Sequence, residues 1–474
     1  MFGLSLALGG YRAATRIMTD LIHGSIARHI LRLSAPVLAF MVLQALYFVI
    51  SLYFVADLGK AAIAGVSAAA NATFAASSLT QVLGVGTTVL VSHATGRKDE
   101  ADTNRILNQA ISLAISLGVC VLVAGYILTP AYMQTVAADA ETAAAGEAYL
   151  NWVMPSFALG FVFQAMGSAL RGTGIVQPVI IVCAITLVFE IVLTPVLIAG
   201  WGTSHPMGVG GVGLANSIAV MLSVVLIWQY LRRLKGHRLT PEWGQWRPSP
   251  SQWKRILNIG LPAGGEMVLT FVSTAMMFWA MRHFGAAAQA GFGAGSRISL
   301  IFLLPVLALS FATAPVAGQN FGAGDATRVM QTFRVAAALI TAFTFAFMLL
   351  MRWYSESWIR FFTNEVQVVA VGAVFLQVTA LGLIPRGLVL ACASLFQGIG
   401  RTWPAMAGAG VSLAVLTVPT LWLSGRSGFR IEHLWYWSIA AVVVEAVVCL
   451  ILLRAQFRSQ LPSLRLEVQP QRPS

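Results

Sequence analysis

The sequence predicts an all-α polytopic membrane protein: twelve transmembrane helices in two pseudo-symmetric six-helix lobes. Three observations carry that prediction. The 474-residue chain is 58% hydrophobic and only 10% charged, with mean hydropathy +0.78, against roughly 45–50% apolar and 25% charged residues in soluble domains. Apolar runs of about 20 residues, each long enough as a helix to cross roughly 30 Å of hydrocarbon, recur along its whole length. The chain also repeats itself at one offset.

Twelve runs are visible, at residues 32–54, 63–91, 106–128, 147–169, 177–199, 212–231, 257–281, 289–316, 333–352, 369–396, 403–423 and 434–453. "LSAPVLAF" (33–40) matches "IGLPAGGE" (259–266), "LGKAAIAGVSAAA" (58–70) matches "FGAAAQAGFGAGS" (284–296), and "SALRGTGIVQP" (168–178) matches "SLFQGIGRTWP" (394–404), every pair 226 residues apart. Collinear matches at one offset mark a duplication. Each half holds six spans, an even number, so both halves enter the membrane in the same sense. Parallel repeats of this kind are one of the two arrangements found in secondary transporters. The expected organisation is an N-terminal tail (1–31), an N-lobe (32–231), a linker rich in Arg, Pro and Trp (232–256), a C-lobe (257–454) and a C-terminal tail (455–474).

The formal charge of +13 would raise the question of nucleic acid in a soluble chain, but its location answers it. With both termini in the cytoplasm, the cytoplasmic segments hold 22 of the 30 Lys+Arg, the positive-inside bias of a multi-pass membrane protein. No nucleic-acid partner is expected, and the localisation predicted is the cytoplasmic (inner) membrane. The opening "MFGLSLALGGYRAATR" has no basic residue ahead of its apolar run and no clear small-residue cleavage site, so it reads as an uncleaved tail. Cys120, Cys183, Cys392 and Cys449 all lie in apolar spans, as small hydrophobes without disulfide or zinc spacing.

Other function classes fall away on motif and placement. No G-x-x-x-x-G-K-S/T loop exists, so the chain is not an ATP-driven pump. A membrane enzyme needs titratable groups converging at one depth, whereas all seven histidines (His23, His29, His93, His205, His237, His283, His433) stand outside the spans or at their ends. "GVGGVG" (208–213) has dinucleotide-binding spacing, but no strand precedes it and it reads as a loop between spans. Small-residue packing between helices accounts for it, as for "AAIAGVSAAA". Of Met41, Tyr47, Phe163, Met166, Met277 and Phe278, most are expected in the core or toward lipid and a minority in an adaptable pocket.

The ionisable residues inside the spans carry the chemistry. In "CAITLVFEIVLTPVLI" (183–198), Glu190 is the only charged residue. A charge at bilayer depth costs about 2.5–3.5 kcal/mol even on the lenient insertion scale, so Glu190 is expected to face the interior. A buried carboxyl that meets a cation can give up its proton for it, which is the physics an antiporter needs. The structural alternative is a permanently protonated acid hydrogen-bonded to a neighbouring helix. Glu266 follows Pro262 near the start of the seventh span, where compensation of the helix dipole is the competing explanation. Arg386, in "LGLIPRGLVL", is the deepest base; Arg297 is also inside a span but nearer its start. Arg386 is expected to neutralise Glu266 or to hold a water-filled cavity, with pairing preferred to substrate contact, and Glu445 in the twelfth span is expected to make a structural hydrogen bond.

Several motifs together resemble the multidrug and toxic compound extrusion (MATE) family, within the superfamily that includes lipid-linked oligosaccharide flippases: "LRLSAP" opening the first span, "DLGKAAIAGVSAAA" at the first hairpin, "ALRGTG" before the fifth, "LTPVLIAGWG" and "MGVGGVGLAN" across the fifth and sixth, "IGLPAGGE" opening the seventh and "GQNFGAGD" after the eighth. The resemblance spans residues 19–455. It implies a bilobed exporter of organic, often cationic compounds in exchange for protons or sodium, with no cofactor beyond the coupling ion and with the bilayer and small substrates as partners of a functional monomer. A flippase for a lipid-linked headgroup is the alternative cargo, and would call for a more basic central cavity. The chain also departs from the family pattern. Ser51 stands where many members have an Asp late in the first span, Glu190 and Thr194 replace the Asn and Asp of an "N..LDP" run, and Asn216 replaces a common Thr. The resemblance therefore implies a substrate and coupling-ion site at Glu190, Thr194, Asn216, Ser51 and Glu266, with Arg386 as charge partner and Thr270 on the face of Glu266. Residues 190 and 194 lie four apart on one helix face, as if the carboxylate had moved by one turn.

Overall fold

The computed structural model describes residues 21–56, 58–137, 139–201, 206–234, 239–424 and 429–467, with the backbone alone at 47–49, 51–53, 56, 70, 71 and 460–467. The opening tail to residue 20, His205, His237 and residues 468–474 lie outside the described residues. Among those described there is no strand. The elements are α1 (Ile26–Ala56), α2 (Lys60–Gly96), α3 (Glu100–Val136), α4 (Ala140–Gly172), α5 (Gln177–Ala199), α6 (Val209–Arg233), α7 (Pro250–Met281), α8 (Ala286–Gly322), α9 (Ala326–Trp353), a six-residue α10 (Ser355–Arg360), α11 (Val366–Thr379), α12 (Leu383–Gly398), α13 (Trp403–Ser424) and α14 (Ile431–Glu467). Helices α11 and α12 are joined by the 3-10 turn Ala380–Gly382, and together they make the tenth span. Twelve helices among the described residues are long and apolar enough to cross a membrane.

Most helices outrun the apolar runs that announce them, because polar caps lie beyond the hydrocarbon-compatible stretch. The Asp99 carboxylate accepts from Asp102 N–H at 2.9 Å and opens α3, and Asp325 does the same to Arg328 N–H for α9. These satisfy backbone donors that a helix start leaves unpaired. Asp139 caps α4 through Thr142 N–H at 2.8 Å. That bond holds its carboxyl below the usual carboxylate value. "GVGGVG" is not a loop: Gly208 caps α6 and the next five residues are its first turns. There a Cβ on Gly213 would stand 2.6 Å from Tyr149 O on α4.

The chain divides into two compact units. One is built from residues 36–260, the other from Leu21–Ala35 and the chain from Leu261 onward. Residues 26–31, expected in the tail, are the first turns of α1. The duplication survives in the atomic detail of each unit. Gly59 and Gly285, 226 apart, both hold left-handed φ (101° and 87°) at the hairpin before the second helix of their unit. In the first unit α2 crosses α4 so closely that a Cβ on Gly65 would lie 2.7 Å from Gly146 N and 2.8 Å from Thr142 O. In the second, α8 crosses α11 where a Cβ on Gly291 would lie 3.0 Å from both Gly372 N and Val368 O. Every residue of the second crossing is its counterpart in the first plus 226.

These crossings explain the small-residue runs. Without a hydrophobic drive between helices in lipid, close backbone approach supplies the packing. Gly65→Ala and Gly291→Ala should each cost about 1–3 kcal/mol, because the obstructing atoms are backbone and the helices must part. Gly160→Ala and Gly293→Ala, where nothing lies within 4 Å, should be neutral or stabilising. Thermal unfolding of the four variants in detergent checks this, and equal melting points across the set would refute it.

The linker is more ordered than its composition suggests. Four α3 side chains hold residues 240–249 of the first unit as a strap. Asn104 receives Thr240 N–H at 2.9 Å, and Asn108 accepts from Glu242 N–H at 2.7 Å and Trp246 Nε1 at 2.9 Å. Gln109 donates to Gln245 O at 2.6 Å, and Ser112 to Trp246 O at 2.7 Å. Trp243 and Trp246 of the strap cluster with Trp228 of α6, with ring centroids 4.4–6.1 Å apart.

Candidate functional site

Helix α5 inverts the usual amphipathic pattern. Ile181, Ile185, Val188 and Val192 are exposed, on the face a bilayer would cover, while Thr186, Glu190 and Thr194, each four residues apart, are buried. Four-residue spacing places these three in a row along one face. Glu190 is 6% exposed, and Asn216 on α6 donates its amide N–H to Glu190 Oε1 at 2.7 Å. The Thr194 hydroxyl donates back to Glu190 O at 2.7 Å, and Ser223 on α6 donates to Thr186 Oγ1 at 2.9 Å. Tyr149 of α4 lies within electrostatic range of Glu190.

The structure therefore brings Glu190, Thr194 and Asn216 together inside the first unit. Asn216 is a neutral donor. It orients one carboxyl oxygen without supplying the opposite charge that an arginine would, so nothing in this bond fixes the group as carboxylate or as acid. Ser51 belongs to α1, and its side chain lies outside the described residues.

The second unit contains a cavity of about 970 Å³, at the large end of the range for small-molecule sites. Its lining comes from α7, α8, α11 to α14 and the segment 362–365. Met277 and Phe278 are among the lining residues, the minority of the Met and aromatic set that meets a pocket; Met166 is buried in the core. Thr270, Ser273 and Thr274 on the α7 wall donate their hydroxyls to backbone carbonyls of their own helix at 3.0–3.1 Å, which leaves hydroxyl lone pairs as the acceptors of that wall.

Arg386 lines this cavity, and its ion pair is with Glu445 on α14, at 3.6 Å. This corrects the expectation that Glu266 would be its partner. Glu266 stands within electrostatic range of both Arg386 and Glu445, but among the described residues it makes no ion pair, and it does not line the cavity. The expectation that Glu445 would make only a structural hydrogen bond is corrected as well. Glu445 is 3% exposed and lines the cavity, while Val443, Val447 and Ile451 occupy the exposed side of α14. Gly408 on α13 makes room beside it: a Cβ there would meet Cys449 Sγ at 2.7 Å.

The duplicated frame carries different chemistry in its two copies. At the 226-residue offset, Glu190 corresponds to Leu416 and Asn216 to Val442, whereas Arg386, Glu445 and Arg297 correspond to Gly160, Ala219 and Asn71. Backbone crossings are retained, and the ionisable groups inside the spans are not. The first unit holds one acid under an amide, and the second holds a cavity with two arginines.

A family model described as MatE matches residues 36–196 and 262–423, two segments whose starts are again 226 residues apart and which together span more than half of the chain. Among curated relatives, the probable multidrug resistance protein YoeA of Bacillus subtilis is 23% identical over 381 residues, covering 78% of this chain and 81% of its own length. The FAD transporter of Shewanella oneidensis is 21% identical over 325 residues, with 69% and 72% covered. A solved structure, the outward-facing conformation of a multidrug resistance MATE family transporter of the MOP superfamily, matches with TM-score 0.85 at 19% identity, covering 93% of this chain and 98% of that one. At that identity the structural match speaks for the fold.

Proposed function

This chain belongs to the MatE family, and from that premise we propose that it is a secondary active exporter of small organic compounds, cationic amphipathic ones among them, exchanging cargo for protons or sodium by alternating access of its two units. It is a multi-pass membrane transporter and not an enzyme. The names of the relatives support transport of small organic compounds: YoeA is a probable multidrug resistance protein, the Shewanella protein an FAD transporter, and a relative from Staphylococcus haemolyticus is a multidrug export protein. The observation that carries coupling is the Glu190–Asn216 contact: a single acid, buried in a transmembrane bundle and oriented by a neutral donor. Such a group costs too much at bilayer depth to persist without use. Its ability to gain or lose charge is what an exchange cycle requires.

The charge distribution supports placement in the cytoplasmic (inner) membrane with both termini inside, and a unit pair within one chain supports action as a monomer. No cofactor enters the cycle beyond the coupling ion. One proton exchanged for one monovalent cation moves no net charge and uses the pH gradient alone, while a second proton would also draw on the membrane potential, about 2.3 kcal/mol per charge per 100 mV. The test is efflux of a cationic dye from inverted vesicles, with a pH gradient, a sodium gradient and a potential imposed separately. Dye movement indifferent to all three would sink the proposal.

A further inference from the structure

The strap of the first unit holds an aromatic side chain outward. Trp243 is 74% exposed, yet its support is firm. Asn108 takes the N–H of Glu242 just before it, and Gln109 donates to the carbonyl of Gln245 just after it. Its ring stands 4.4 Å from that of Trp246, which is itself tied to Asn108 through Nε1 at 2.9 Å. Leaving an indole in water forgoes its burial, whereas a membrane–water boundary suits its amphipathic ring.

The helices beneath the strap place it at such a boundary. On α6, Met221 and Val225 are exposed, and Trp228 and Arg232 continue the same face at spacings of three and four. On α3, the buried Ser112 is followed on its face by Ile115, Val119 and Val123, all exposed. Both helices are long and apolar enough to cross a membrane, so these two stripes face acyl chains. The strap meets both: Ser112 donates to Trp246 O at 2.7 Å, and the ring of Trp228 lies 5.7 Å from Trp246 and 6.1 Å from Trp243. It therefore crosses the stripes about 10 Å beyond Val119 and Met221, at the end that the positive-inside rule assigns to the cytoplasm.

Charge completes the arrangement. Arg232 stands one turn past Trp228, Arg247 adjoins Trp246 in the strap, and both are exposed. Glu242, the one acid of residues 240–249, does not answer them, because its oxygens accept from Asn104 at 3.0 Å, Thr240 at 2.9 Å and Gln245 at 2.7 Å, all neutral donors. Apolar stripes, then indoles, then guanidinium groups form the sequence of surfaces that an anionic phospholipid presents in reverse. A soluble protein could not reach the stripes, and a free anion would leave the stripes and Trp243 unused.

We propose that the strap and the adjoining ends of α3 and α6 form a binding site for an anionic phospholipid of the cytoplasmic leaflet. Arg232 and Arg247 take the phosphate and its headgroup, Trp243 packs at the glycerol level, and the acyl chains lie on the stripes of α3 and α6. The site requires that the chain span a bilayer and is separate from the export cycle.

The test uses the full-length protein in a neutral detergent, titrated with dioleoylphosphatidylglycerol or dioleoylphosphatidylcholine and read by native mass spectrometry. The first phosphatidylglycerol should bind about tenfold more tightly than the first phosphatidylcholine, given two basic groups near one headgroup. Arg232→Gln with Arg247→Gln should bring the two lipids to equal affinity. Arg247→Gln alone, a change confined to the exposed surface of the strap, should remove about threefold and covers the case in which the double variant does not fold. Arg454→Gln with Arg458→Gln, exposed arginines on α14, should keep the full preference, and Trp243→Ala should weaken both lipids in parallel. Equal affinities in the wild type overturn the proposal, as does a preference that survives the strap variants. Equal loss in the α14 variant reduces the effect to diffuse charge and overturns it too. Displacement of phosphatidylglycerol by millimolar inorganic phosphate assigns the arginines to a free anion, with the same consequence.

Discussion

Glu190→Gln should leave the fold standing and reduce gradient-driven efflux to the leak of protein-free vesicles. The amide that replaces the carboxyl keeps an oxygen in the place of Oε1, so Asn216 retains its 2.7 Å acceptor and stability should change by no more than about 1 kcal/mol. What the variant loses is the capacity to change charge. Thermal unfolding and dye efflux measured on one preparation separate the two properties. Normal efflux by the glutamine variant would end the coupling role of this residue. Moving the acid one turn, with Glu190→Asn and Thr194→Asp together, should recover part of the activity, because both positions are buried on the same face of α5.

Breaking the Arg386–Glu445 pair should destabilise the second unit, and it should do so asymmetrically. Glu445→Gln removes the carboxylate 3.6 Å from Arg386 and leaves a cation that cannot discharge itself, at a cost of about 2–3 kcal/mol given the partial exposure of the arginine. Arg386→Leu leaves acids that can each take up a proton, so its cost should be milder. The double variant should regain much of the loss, and additive losses in that cycle would show that the two residues do not interact. Glu266→Gln should cost less than Glu445→Gln. The reverse order, read by thermal unfolding in detergent, would return Arg386 to Glu266 as its partner.

The twelve spans and the duplication were legible because each rests on local chemistry. Hydrocarbon thickness sets the run length, and a glycine needed at a crossing or hairpin is needed in both copies. The pairing of Glu190 with Asn216 was within reach as well, since the resemblance placed both at one site. The partner of Arg386 was not. Glu266 and Glu445 are each an acid in an apolar span, and only the rotation of α14 about its axis decides which one reaches the guanidinium. Nor could the strap at 240–249 be read from composition. Asn104, Asn108, Gln109 and Ser112 look like ordinary polar residues at the start of a membrane helix, and their role appears only when the linker folds back over them.

The boundary between the two units has a consequence for ancestry. The repeat divides the sequence near residues 33 and 259, but the packing divides it elsewhere: Leu21–Ala35 completes the second unit, and the opening turns of α7 as far as Gly260 complete the first. In the first unit a Cβ on Gly86 would meet Ile256 O and one on Gly260 would meet Val82 O. In the second, Asn320 donates to Leu21 O at 3.2 Å and Arg328 to Gly24 O at 3.2 Å. Each half of the sequence thus supplies the entry segment of the other half's bundle, which is the topology of a domain-swapped dimer made covalent. A half-length ancestor with this arrangement would have had to fold as a pair, and gene fusion would have fixed two mutually dependent copies. Once fused, the copies could diverge in charge, since neither had to serve as its own partner any longer.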